Sequence, residues 1–148
     1  MKTAKILVIE DDRSTLLALK FSFKFQGYDV VVAVDAISAV TLAAREKPDL
    51  IITDIGLPCG DGFSVMARIH SLLPLIDVPI VVLTARDTPE CERQALAAGA
   101  AAFFTKPANL DAICSTVASL LSPCCSEFAG TDHDSKFSSQ NFRLCSQS

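Results

Sequence analysis

Five short apolar runs, each followed by a segment of helix length, constrain this chain more than any other feature of its sequence. The runs are Lys5 to Ile9, Tyr28 to Val34, Pro48-Asp49-Leu50-Ile51-Ile52-Thr53-Asp54-Ile55-Gly56-Leu57-Pro58, Ile80 to Leu83, and Ala101 to Thr105. The third is bounded by Pro48 and by a Gly/Pro loop. That pattern reads as a fully buried strand, not as one face of an amphipathic helix. Helices are expected over 14 to 26, closed by Gly27, and from a cap at Asp35 to about Lys47. Gly60-Asp61-Gly62 reads as a loop before a helix from Phe63 to Leu72. Thr88-Pro89-Glu90, with proline at the first helical position, opens a fourth helix that ends at Ala98-Gly99. Asn109 caps a fifth, to about Leu121. The alternation βαβαβαβαβα with short apolar strands predicts an α/β fold, a parallel sheet with helices on both faces. Right-handed crossovers make a doubly wound five-stranded parallel sheet the natural solution, in the flavodoxin-like order 2-1-3-4-5.

The 148 residues suit one domain, with a core that needs no covalent staples. Half of the residues are apolar, yet no run reaches the roughly 18 that a membrane span requires. Met1-Lys2-Thr3-Ala4-Lys5 leads straight into the first strand, so no secretory leader is expected. The net charge of −4 argues against sequence-independent binding to nucleic acid. Six cysteines occur, with Cys59, Cys91 and Cys114 in the periodic region and Cys124, Cys125 and Cys145 beyond it. Without a secretory signal they read as reduced thiols of a cytoplasmic protein. From Pro123 onward no period remains. The expected division is a domain over 1–122 and a disordered or vector-derived tail over 123–148. Cys124, Cys125, His133 and Cys145 match no standard zinc spacing.

In a parallel sheet all strands point their carboxyl ends at one rim, which is where ligands bind. The first strand delivers Glu10 and Asp11 to that rim, the third Asp54, the fourth Thr84, and the fifth Lys106, followed by Pro107. Singly, each residue has a plainer role. The Glu10–Asp11 pair suits a helix N-terminus, Asp54 a loop cap, Thr84 a strand, and Lys106 a solvated surface. Together, three acids repel one another, and a hard divalent cation such as Mg²⁺ removes that cost. Such a cation beside a hydroxyl and an ammonium meets the needs of a phosphoryl group. No Gly-x-x-x-x-Gly-Lys-Ser/Thr loop is present, so the donor need not be a nucleotide. A carboxylate that itself accepts the phosphoryl group, Asp54, remains as the candidate nucleophile.

Four segments carry a family resemblance. They are Ile6-Leu7-Val8-Ile9-Glu10-Asp11-Asp12; Pro48 to Pro58 with Asp61-Gly62; Val81-Val82-Leu83-Thr84-Ala85; and Gly99-Ala100-Ala101-Ala102-Phe103-Phe104-Thr105-Lys106-Pro107. Over about residues 3 to 121 the chain resembles a response-regulator receiver domain of two-component signalling, of the stand-alone type. The resemblance implies phosphorylation of Asp54 by a histidine kinase or a histidine phosphotransfer protein. It implies Mg²⁺ on Glu10, Asp11, Asp54 and the carbonyl of Gly56, with Thr84 and Lys106 as catalytic partners of the phosphoryl group. It also implies a cis peptide at Lys106-Pro107. Phe103 occupies the switch-aromatic position. Thr84 moving toward the phosphate would let Phe103 turn inward and reshape the helix-4, strand-5, helix-5 face for a downstream protein target. A homodimer formed on phosphorylation is compatible with this. No direct contact with nucleic acid or membrane, and no enzyme activity of its own, is expected.

The chain also departs from the family pattern. Gly56 and Arg86 stand two residues after Asp54 and Thr84, where they are expected to set the lifetime of the phosphoaspartate. Phe103 lacks the hydroxyl of the common tyrosine, so switching must rest on packing. Gly99-Ala100-Ala101-Ala102 lacks the paired aspartates common in winged-helix DNA-binding regulators, which sets the chain apart from their dimerisation mode. Leu17, Phe21 and Phe25 fall on a face of the first helix away from Ala18, Leu19, Ser22 and Phe23. They form either an apolar docking stripe for a kinase or phosphotransfer helix, or a surface covered by the fifth helix or the tail. Cys59 reads as a small loop residue rather than a redox centre. Two alternatives stay open: a receiver cut from a longer transcriptional regulator or hybrid kinase, and an aspartyl-phosphate phosphatase. Phosphatases of the dehalogenase type usually carry an aspartate where this chain has Gly56, which argues against the second.

Overall fold

The computed structural model describes residues 3–57, 60–85, 88–107, 109–122 and the backbone of 142–144. β1 (Lys5–Ile9) lies between β2 (Asp29–Ala33) and β3 (Leu50–Thr53). β4 (Ile80–Thr84) and β5 (Ala102–Thr105) lie successively outward from β3. These five strands are parallel and run in the order β2-β1-β3-β4-β5, as the alternation predicts. The helices are α1 (Arg13–Phe25), α2 (Ala36–Glu46), α3 (Gly62–His70), α4 (Pro89–Ala97) and α5 (Leu110–Leu121).

Side chains alternate across a strand, so each strand feeds two cores. Leu7, Ile9, Ile51, Val82 and Phe103 join residues of α2, α3 and α4, among them Ala39, Met66 and Ala95. Ile6, Val8, Leu50, Ile52, Leu83 and Phe104 join Leu19 and Phe23 of α1 and Ile113 and Val117 of α5. Burial on both faces is why these strands are apolar throughout. In α1, Leu19 and Phe23 are buried, while Phe21 and Phe25 are 64% and 89% exposed and Leu17 is half-buried. The expected outer stripe is therefore open at its two phenylalanines.

Helix starts obey the local chemistry. Asp35 Oδ1 accepts the Ser38 amide at 2.7 Å, Thr88 Oγ1 the Cys91 amide at 3.1 Å, and Asn109 Oδ1 the Asp111 amide at 2.8 Å. Each satisfies a backbone donor that the first helical turn leaves unpaired. Gly27, with φ of 97°, reverses the chain after α1 in a conformation that costs other residues steric strain.

Three features differ from expectation. Gly60-Asp61-Gly62 is not a plain loop. Gly60–Asp61 pairs antiparallel with Gly56–Leu57, and Asp61 caps α3, which starts at Gly62. The α3 helix stops at His70, and Pro74 sits in a separate 3-10 turn, Leu73–Leu75. Within the tail, the backbone of Phe142–Leu144 forms β6, antiparallel to β5, so the sheet has a sixth strand. The rest of the tail lies outside the described residues, and with it Cys124, Cys125, His133 and Cys145. Pro58, Cys59 and Arg86 also lie outside them. Cys91 and Cys114 are free thiols, and no described helix is long and apolar enough to cross a membrane.

Candidate functional site

The register of the sheet brings the strand ends together. Glu10 and Asp54 each extend their strand by one residue and are held in line by backbone bonds. The Glu10 amide donates to Ala33 O at 3.0 Å and the Asp54 amide to Ile9 O at 3.1 Å. Thr53 pairs with Val82 and Thr84 with Thr105, which sets Thr84 at the same rim. The Lys106 amide donates to Thr84 O at 2.8 Å, and the Lys106-Pro107 peptide is cis, as the resemblance implies.

Lys106 ties the site together. Its Nζ lies 2.9 Å from Glu10 Oε1 and 3.1 Å from Asp54 Oδ2. Glu10 is 2% exposed, whereas Asp54 keeps a narrow open edge, 8% of the residue and 11% of its side chain. Asp11 is exposed at the mouth. The Asp12 amide donates to Glu10 Oε2 at 3.0 Å and the Gly56 amide to Asp54 Oδ1 at 3.2 Å. Asp12 itself caps α1 through the Thr15 amide at 3.0 Å.

Burial pushes the Glu10 carboxyl above its ordinary range, and the bonds from Lys106 and the Asp12 amide only partly offset it. Burial also works against the charge on Lys106. There the hydrogen bonds and charges of Glu10 and Asp54 outweigh it, so the ammonium holds its proton more firmly than a free lysine does. The site thus carries a fixed positive charge against a buried carboxylate cluster with one open side.

Glu10, Asp11 and Asp54 each offer a carboxylate oxygen within 4.8 Å of the others, the only such cluster among the described residues. All-oxygen, all-anionic donors with an open side fit a hard cation that keeps water ligands, which is the chemistry of Mg²⁺. The sequence-predicted residues Glu10, Asp11, Asp54, Gly56, Thr84 and Lys106 therefore converge on one rim.

Phe103 lies beside the site's last strand end, three residues before Lys106. It is 3% exposed and sits in the core layer of α2, α3 and α4.

Two further residues, Thr53 and Gly62, stand inside the segments that carry the resemblance but receive no role from it. The Thr53 hydroxyl donates to Asp54 O at 2.9 Å, and Gly62 packs its backbone against that same carbonyl. Apart from that membership, the signals are a hydroxyl closing an apolar run and a glycine just before a helix.

Residues 6–118 match the family model of the response regulator receiver domain. Response regulator MprA of Mycobacterium leprae (strain TN) is 36% identical over 117 residues, which is 79% of this chain and 50% of that protein. MprA of Mycobacterium sp. (strain KMS) is 37% identical over the same length. The chain spans about half the length of the curated relatives it matches. Among solved structures, chemotaxis response regulator CheY4 of Vibrio cholerae matches with a TM-score of 0.76 at 28% identity, covering 81% of this chain and all of CheY4. The receiver domain of sensor histidine kinase PA1611 from Pseudomonas aeruginosa PAO1 matches with a TM-score of 0.75 at 28% identity, over 81% of this chain and 98% of that one. That domain was solved with a magnesium ion coordinated in its active-site cleft.

Proposed function

The chain belongs to the response regulator receiver domain family, and from that premise we propose that Asp54 accepts a phosphoryl group from a histidine kinase or a histidine phosphotransfer protein. A carboxylate oxygen of Asp54 attacks phosphorus. The P–O bond forms as the P–N bond of the phosphohistidine breaks, and the imidazole leaves with the electron pair. Lys106 carries the reading. One ammonium already bridges the carboxylates of Glu10 and Asp54, at 2.9 and 3.1 Å, and is poised to pair with a phosphoryl oxygen on Asp54. Thr84 offers its hydroxyl to a second oxygen. Glu10, Asp11, Asp54 and the Gly56 carbonyl would hold Mg²⁺, which would supply neutralising charge to the phosphoryl oxygens.

The test is incubation with acetyl phosphate and Mg²⁺. One stable equivalent on Asp54, absent in Asp54→Asn, is the expected result. Many turnovers on a phosphate ester would favour an aspartyl-phosphate phosphatase instead.

The output of such a switch is the face built by α4, β5 and α5. Phosphorylation draws Thr84 toward the phosphoryl group and secures Phe103 in its buried place, so switching rests on packing. A downstream protein reads that face. The stand-alone form and a receiver within a longer regulator or hybrid kinase share this chemistry and differ in the chain outside the domain. The exposed Phe21 and Phe25 suit α1 for kinase docking. Alanine at both positions would then slow phosphotransfer from the kinase but not uptake from acetyl phosphate.

A further inference from the structure

We propose that Thr53 and Gly62 are positioning residues that clamp the main chain of Asp54 and so hold the metal donors in register. The inference rests on the proposed phosphoacceptor site. The two residues act on one atom, the Asp54 carbonyl oxygen. Thr53 is wholly buried, and its hydroxyl donates to that oxygen at 2.9 Å. Alternation along β3 sends Thr53 to the face of Ile51, the face against which α3 packs. Gly62, the first residue of α3, is buried against the same carbonyl. A Cβ at Gly62 would stand 2.4 Å from Asp54 O and 2.8 Å from Ile55 Cα, closer than any real contact. The Gly62 amide also donates to Ile55 O at 2.8 Å.

The consequence runs through the backbone. The Asp54 amide is held by Ile9 O and the Asp54 carbonyl by Thr53. With both ends of the residue fixed, the next peptide cannot rotate freely. That peptide leads through Ile55 to Gly56, whose amide touches Asp54 Oδ1 at 3.2 Å and whose carbonyl is a proposed metal donor. Mg²⁺ demands near-ideal octahedral geometry at short bonds, whereas Ca²⁺ accepts longer and irregular ones. A loosened Asp54–Gly56 segment therefore costs Mg²⁺ binding more than Ca²⁺ binding.

The test uses the full chain and titrates Mg²⁺ alone, with Ca²⁺ as comparator, by calorimetry. Thr53→Val keeps the shape and deletes the hydroxyl; Thr53→Ser keeps the hydroxyl and deletes the methyl. The expected result for Thr53→Val is Mg²⁺ binding weakened about five-fold, the ratio that a single neutral hydrogen bond is worth. Ca²⁺ binding changes less, and the Gly56 amide resonance shifts. Thr53→Ser regains wild-type Mg²⁺ affinity even though losing a buried methyl lowers its urea midpoint. Gly62→Ala, if it folds, weakens Mg²⁺ binding further. Equal Mg²⁺ affinity in Thr53→Val and wild type would overturn the proposal. So would affinities that simply track each variant's loss of stability. A wild-type protein that binds no Mg²⁺ would instead overturn the phosphoacceptor site beneath it.

Discussion

At the scale of single residues, Lys106 bridges Glu10 and Asp54 and is the partner on which the proposed phosphoryl uptake leans most. Lys106→Met keeps the stem and removes the charge that faces both Glu10 and Asp54. Phosphoryl uptake from acetyl phosphate should fall about 10²-fold or more, the cost of deleting one preorganised charge partner of a transferring group. Uptake within a few-fold of wild type would remove Lys106 from the mechanism. Glu10, Asp11, Asp54, Thr84 and Lys106 are legible in the sequence because parallel strands deliver their carboxyl ends to one rim. Thr53 is not, because threonine is an ordinary strand residue. Only the direction of its hydroxyl, toward the carbonyl of the next residue, gives it a role. Gly62 belongs to a motif segment, but its contact with Asp54 is not legible, since the approach of α3 to Asp54 depends on a turn whose path no periodicity reveals.

At the scale of elements, caps and core faces carry separable energies. Asp35 caps α2, and the Ser38 amide, then the Ser38 hydroxyl, hold its carboxyl below the ordinary aspartate value. The unfolded chain therefore binds the proton more readily than the folded one. The cap's contribution is present above the unfolded aspartate pKa, ~4, and is lost as pH falls through the lower folded value. Asp35→Asn keeps a capping oxygen but does not titrate. Its urea midpoint should show a weaker acid dependence than wild type between about pH 5 and pH 2; parallel curves would contradict this. On α1 the two faces predict opposite outcomes. Phe23→Ala, in the core beside Tyr28, should cost about 3–5 kcal/mol in urea denaturation, and Phe21→Ala within about 0.5 kcal/mol. The βα alternation and all five helices are readable because each repeats a period over many residues. β6 is not, because three residues in a patternless segment acquire a strand only by pairing with a distant edge.

At the scale of the whole molecule, three clustered carboxylates repel one another, and a cation bound among them would add stability. A ligand that binds only the folded state adds about 2.7 kcal/mol at a hundred times its dissociation constant. For a domain of this size that is a rise in melting temperature of about 5–10 °C in saturating Mg²⁺. Glu10→Gln should largely abolish the rise, and a wild-type melting curve unmoved by Mg²⁺ would speak against a metal site. The doubly wound order is legible because buried parallel strands and right-handed crossovers leave few arrangements. The extent of the sheet beyond β5 is not. Phe103 and Phe104, neighbours on β5, fill opposite compartments: one belongs with α2, α3 and α4, the other with α1 and α5. The strand is a party wall between two rooms. Refurnishing the room around Phe103 would press first on α2, α3 and α4, and would reach α5 only through the shared wall.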